Sequence, residues 1–147
     1  MAKRRERIQL PVQSWAEVVA LGLSACPEPQ IVRGIGGPLT VEDAALIREV
    51  KPRPHQCYLN AMTLAMWSRG RLRYVEGVAC GSIPHAWCVD ASGRIVDPTL
   101  PGEPHAYDGL VLDADAVLRI WGKNGWMRLV LGPSVWGWTT PSSDRPK

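Results

Sequence analysis

Phenylalanine is missing from this chain, whereas tryptophan occurs seven times. Aromatic bulk therefore rests on indoles, whose N–H groups need hydrogen-bond partners once buried. No apolar run approaches the length that crosses a bilayer, so neither a membrane-spanning helix nor a membrane partner is expected. Ile8-Gln9-Leu10-Pro11 is too short for the apolar core of a secretory leader. The expectation is a soluble protein made in the cytosol. In that compartment disulfides are disfavoured, so Cys26, Cys57, Cys80 and Cys88 are expected as free thiols. Repeats and interdomain linkers are also missing. A length of 147 residues favours one domain over 1–147, with loose tails at 1–10 and 139–147.

The formal charge is +3, and Lys3, Arg4, Arg5 and Arg7 crowd the first seven positions. The plain reading of that cluster is a solvated terminus, and the functional reading is a nucleic-acid patch. Hydrophobic residues at 46 % and charged residues at 21 % are the balance of a soluble globular protein.

Capping chemistry predicts the helices. Ser14-Trp15-Ala16-Glu17 has the form of a capping box and opens a helix over about 15–23, which Cys26-Pro27-Glu28-Pro29 breaks. Gly34 to Pro38 reads as a turn. Thr40 caps a helix over about 41–50 with Ala44, Ala45 and Ile47 as its apolar stripe. Lys51-Pro52-Arg53-Pro54 ends it, because each proline restricts the residue before it. A third helix follows over about 56–69, with Cys57, Ala61, Leu64, Ala65 and Ser68 along one side and Gly70 as its C′ residue. Residues 72–80 read as a strand interrupted by Gly77. His85–Asp90 and Arg94–Asp97 read as a hairpin around Ala91-Ser92-Gly93. Pro98 to Tyr107, with three prolines, reads as a loop. Asp113 caps a helix over about 114–122, and 126–131 reads as a last strand. Helices first and an antiparallel sheet after them make an α+β domain, with N-terminal helices packed on the sheet.

Cys57, His85 and Asp97 form the candidate site. A thiol, an imidazole and a carboxylate are the parts of a nucleophilic acyl-transfer centre. Cys57 falls in the first turn of helix three, where the helix dipole favours a thiolate and free N–H groups can receive an oxyanion. Register decides whether the other two meet. A three-residue loop with Gly93 in the left-handed position pairs Asp90 with Arg94, Val89 with Ile95 and Trp87 with Asp97. His85 and Asp97 then become diagonal neighbours on one face, within side-chain reach. A two-residue loop would put Asp97 on the opposite face. The same parity counts against zinc. Cys57, Cys80, His85 and Cys88 are a nominal ligand set, but His85 and Cys88 are three apart on one strand and face opposite sides. Cys88 reads as a core residue, and Cys26 and Cys80 carry no signal. Taken singly, Cys57 reads as helix packing, His85 as a satisfied strand histidine and Asp97-Pro98 as a turn starter. Their joint arrangement favours a site. Neither metal nor cofactor is expected.

His85-Ala86-Trp87-Cys88-Val89-Asp90, a short turn and Arg94-Ile95-Val96-Asp97-Pro98-Thr99 resemble the His-Ala-Trp to Asp-Pro-Thr stretch of transglutaminase-like proteins. Pro54-His55-Gln56-Cys57-Tyr58-Leu59-Asn60-Ala61 supplies the cysteine. The resemblance covers about residues 54–100, and the short chain looks more like the small transglutaminase-like proteins of bacteria and their phages than the longer cross-linking enzymes. It implies a papain-like fold in which the nucleophile starts a helix packed on an antiparallel sheet. It implies that Cys57 attacks, that His85 moves the proton and that Asp97 holds the imidazole. The function expected is acyl transfer from an amide of a protein or peptide, as peptidase, deamidase or transferase. The alternative is a non-catalytic module on the same fold that binds a host or partner protein. The acyl acceptor and the oligomeric state are not written in the sequence.

Overall fold

The helices begin where their caps stand. In the structure, a computed structural model describing residues 12–24, 28–132 and 135, Ser14 Oγ accepts the Glu17 N–H at the head of α1 (Trp15–Ala20). Thr40 Oγ1 accepts the Asp43 N–H ahead of α2 (Val41–Val50). Asp113 Oδ1 accepts the Ala116 N–H ahead of α4 (Ala114–Asn124). Each cap satisfies one donor that the first turn leaves unpaired. The third helix, α3 (Cys57–Trp67), is the exception, since its N-cap Gln56 makes no side-chain cap hydrogen bond.

Helix ends differ from the expectations by a few residues. α1 stops three residues short of 23, because Gly22 turns left-handed (φ 67°) and the Leu23 N–H returns to the Val18 carbonyl. α3 ends at Trp67, and the left-handed position falls on Arg69 (φ 55°) before Gly70 (φ 86°). α4 runs on to Asn124, where left-handed Gly125 donates its N–H to Trp121 O. The break at Cys26-Pro27, the basic residues 3–7 and the tails 1–10 and 139–147 lie outside the described residues.

Among the described residues the strands are β1 (Ile31–Ile35), β2 (Arg73–Ala79), β3 (Ile83–Val89), β4 (Ile95–Val96) and β5 (Ala106–Val111). They form one antiparallel sheet in the order β1-β5-β2-β3-β4. Three expectations are corrected here. A strand, β1, runs through Gly34, where a turn was expected, and it precedes α2, so helices and strands are not cleanly segregated along the chain. The expected loop to Tyr107 ends in β5. Residues 126–131 form no strand; Leu131 makes a single parallel bridge to Val12. The α+β class holds, with α3 against β2 and β3.

The sheet is strongly curled. β1 and β4 are its two edges, yet a Cβ on Gly34 would sit 3.2 Å from Ile95 Cδ1. Curling encloses an inner cluster of Val75, Ala79, Trp87, Val89, Ile95, Tyr107 and Val111, with Val32 packed against it. The alternate residues Tyr74, Val78, Ala86, Cys88, Val96 and Leu110 join the larger helix-side core with Val18, Ala61, Leu64, Val117 and Trp121. Period-two alternation thus sends the side chains of β2, β3, β4 and β5 into two different cores. Gly77 pairs with both Gly109 and His85. A Cβ on Gly77 would meet Asp108 O, and one on Gly109 would meet Trp87 Cη2 at 2.7 Å. These glycines allow close backbone approach and clear the space that the Trp87 ring occupies.

Candidate active site

The β3–β4 hairpin has the register that Gly93 predicts. Gly93 is left-handed (φ 85°), the Asp90 N–H reaches Arg94 O at 3.1 Å, and Val89 pairs with Ile95. The turn is reinforced from within. Asp90 Oδ1 accepts the Ser92 N–H, the Ser92 hydroxyl and the Arg94 N–H, and Oδ2 meets Arg94 Nε at 3.1 Å. Partial burial works against the Asp90 charge, but these hydrogen bonds outweigh it and hold the carboxyl at about 2.

Beyond the last ladder pair, Cys88 with Val96, the chain delivers Asp97 to His85. His85 Nε2 lies 2.7 Å from Asp97 Oδ2, with His85 5 % and Asp97 2 % exposed. That leaves Nδ1 as the imidazole nitrogen available to a thiol. Cys57, the half-buried first residue of α3, comes close enough to stabilise the protonated ring by hydrogen bond and by charge. Burial disfavours the imidazolium, yet the Asp97 hydrogen bond and the Cys57 contact outweigh it and raise His85 to about 9. The three residues singled out from the sequence are therefore brought together.

Asp97 is held at both oxygens. Oδ1 accepts the backbone N–H groups of Thr99 and Leu100, and Oδ2 accepts the Tyr107 hydroxyl at 2.7 Å beside His85. Asn60 ties the Asp97 loop to the helix that Cys57 begins. Its amide exchanges two 2.8 Å hydrogen bonds with the Arg53 backbone and donates to Thr99 Oγ1 at 3.0 Å. Sequence reasoning assigned neither Tyr107 nor Asn60 a role. Tyr107 ends a stretch whose three prolines read as a loop, and the one signal for Asn60 is its position a helical turn after Cys57.

The backbone just ahead of Cys57 is bent sharply. His55 takes a left-handed φ of 61°, uncommon for a side chain with a Cβ, and Gln56 then opens α3 without capping it. First-turn N–H groups next to the thiol are thus not taken up by a cap.

Trp87 stacks on His85 at 6.1 Å between ring centroids and meets Tyr107 edge-on at 4.9 Å. Among the described residues its buried indole N–H finds no acceptor, whereas Trp121 Nε1 donates to Arg128 O at 2.7 Å. Cys88 turns to the opposite side, where its Sγ donates to Ala61 O at 3.1 Å and burial pushes its thiol far up. Cys80 is exposed, and Cys26 lies outside the described residues. Among the described residues no group of three or more His, Cys, Asp or Glu side chains is placed to hold a metal ion, and no helix is long and apolar enough to cross a membrane.

No protein-family model, curated protein or solved structure matches the chain.

Proposed function

We propose that this chain is a thiol enzyme of the transglutaminase-like, papain-like kind, which takes an acyl group from an amide of a protein or peptide. The observation that carries the proposal is the buried His85 Nε2–Asp97 Oδ2 hydrogen bond of 2.7 Å, with the Cys57 thiol beside the same imidazole.

The chemistry follows from that placement. An imidazolium that keeps its proton to about pH 9 favours the thiolate form of a sulfur beside it. The sulfur attacks the amide carbonyl, and the oxyanion formed is received by the uncapped first-turn N–H groups of α3. His85 gives its proton to the departing amine as the C–N bond breaks, leaving a Cys57 thioester. Water or an amine then attacks while His85 takes a proton from it, and the thiolate returns. Asp97 keeps the imidazole in one orientation and stabilises its charged form throughout.

Iodoacetamide at about pH 6 tests the proposal, because an activated thiolate reacts where ordinary thiols are protonated. Cys57 is expected to be labelled at least about tenfold faster than exposed Cys80, and buried Cys88 not at all in the folded chain. His85→Ala should erase that advantage. Labelling of Cys57 no faster than Cys80 would leave the fold as a binding module rather than an enzyme.

A further inference from the structure

We infer that Tyr107 is a positioning residue of this site, its hydroxyl fixing Asp97 by donating to the same carboxylate oxygen that receives His85 Nε2. The inference rests on the reading of Cys57, His85 and Asp97 given above.

Four donors surround the Asp97 carboxylate. Thr99 and Leu100 N–H occupy Oδ1 at 2.9 and 3.2 Å, while His85 Nε2 and Tyr107 OH both lie 2.7 Å from Oδ2. Rotating the carboxylate away from His85 would break all four bonds. Sharing Oδ2 has a second effect, because an oxygen that accepts from two donors offers each less than its full acceptor strength. Tyr107 therefore both aims Asp97 and moderates its pull on the imidazole proton. The hydroxyl suits that role. Tyr107 as a whole is 3 % exposed, and burial together with the Asp97 charge pushes the hydroxyl well above its ordinary range, so it stays a neutral donor. The titratable groups facing the trio are Cys57 at the start of α3, Cys80 after β2, Cys88 on β3 and Glu103 in the connection to β5. The Tyr107 ring packs on Trp87 and lies 6.3 Å from His85, so Phe at this position keeps the packing and loses only the donor.

The test reads the His85 titration directly, by imidazole ¹H–¹⁵N correlation spectra of the full chain, with His55 and His105 as internal references. In Tyr107→Phe the undivided Asp97 charge holds the proton harder, and the His85 midpoint should rise by about half a pH unit. Replacing the tyrosines with 3-fluorotyrosine, a stronger donor, should move the His85 midpoint the opposite way without removing the bond. A role limited to packing would leave the midpoint in place in both proteins, and that result overturns the inference. Asp97→Asn separates the two levels of the argument. It should drop the midpoint toward or below 6.5, and no movement there would overturn the His85–Asp97 pairing itself. Failure of the nucleophile reading alone would appear in the Cys57 labelling and leave these titrations standing.

Discussion

Asn60 lies one helical turn after Cys57, and its side chain spans two loops. It holds the Arg53 backbone ahead of Cys57 and the Thr99 hydroxyl beyond Asp97. Asn60 is 4 % exposed, so its partners have little water to fall back on. Asn60→Ala should destabilise the fold by about 2 kcal/mol in urea denaturation, as buried groups left unpaired generally do. It should also slow Cys57 alkylation, because the segments carrying the thiol and the carboxylate lose their tie. Stability within about 0.5 kcal/mol of the parent would show the clasp to be idle. At this scale the sequence disclosed the site unevenly. Cys57, His85 and Asp97 were legible because a helix start and a two-strand register fix them locally. Asn60 and Tyr107 were not, because their partners, Thr99 and Asp97, are reached only after the chain has folded across loops that have no period.

The β3–β4 hairpin was readable because its turn chemistry lies within five residues, from Asp90 to Arg94. β1 and β5 escaped for the opposite reason. Gly34 to Pro38 reads as a turn and the prolines of 98–107 read as a loop, but Gly34 and Gly109 mark close approach inside a curled sheet. The last predicted strand failed because Val130 and Leu131 give their N–H groups to a carboxylate rather than to a neighbouring strand. Two alanine substitutions test this account of glycine. Gly109→Ala would press a methyl against Glu76 O and the Trp87 ring, both at 2.7 Å, and should cost about 2–4 kcal/mol. Gly122→Ala meets nothing within 4 Å inside α4 and should gain about 0.5–1 kcal/mol. Denaturant midpoints of the two variants check both signs, and a tolerated Gly109→Ala would refute the close approach.

Across the whole molecule, the α+β class could be read from the order of elements, but the curl could not, since no local pattern announces that Gly34 will meet Ile95. Nor could the fully buried Glu76 on β2. Its carboxylate accepts from the Tyr74 hydroxyl at 2.6 Å and from the Val130 and Leu131 N–H groups at 2.9 and 3.0 Å. Burial raises Glu76 to about 7, against the pull of Tyr74, Leu131 and Val130. The folded state therefore holds this proton more tightly than the unfolded chain. The stability it contributes is full below about 4.5 and is lost as pH rises through about 7. His85, raised to about 9, adds a loss of the same sign between about 6.5 and 9. Unfolding free energy should fall from pH 5 to 9 in the parent. In Glu76→Gln the decline should begin only above about pH 6.5. An unchanged slope between pH 5 and 6.5 would show that Glu76 titrates as it does in the unfolded chain.

The Glu76 anchor has a kinetic consequence. The Val12 N–H donates to Val130 O, and the Gly132 N–H returns to Val12 O, both at 2.7 Å. Val12 thus hangs on residues 130–132, and those hang on one carboxylate. Opening of that carboxylate's contacts exposes the amides of Val12, Val130, Leu131 and Gly132 together, so they exchange with solvent as a single cooperative unit. The beginning and end of the described chain behave as one latch, and that latch lies on the helix-side core, where the Tyr74 hydroxyl that donates to Glu76 also feels Cys57.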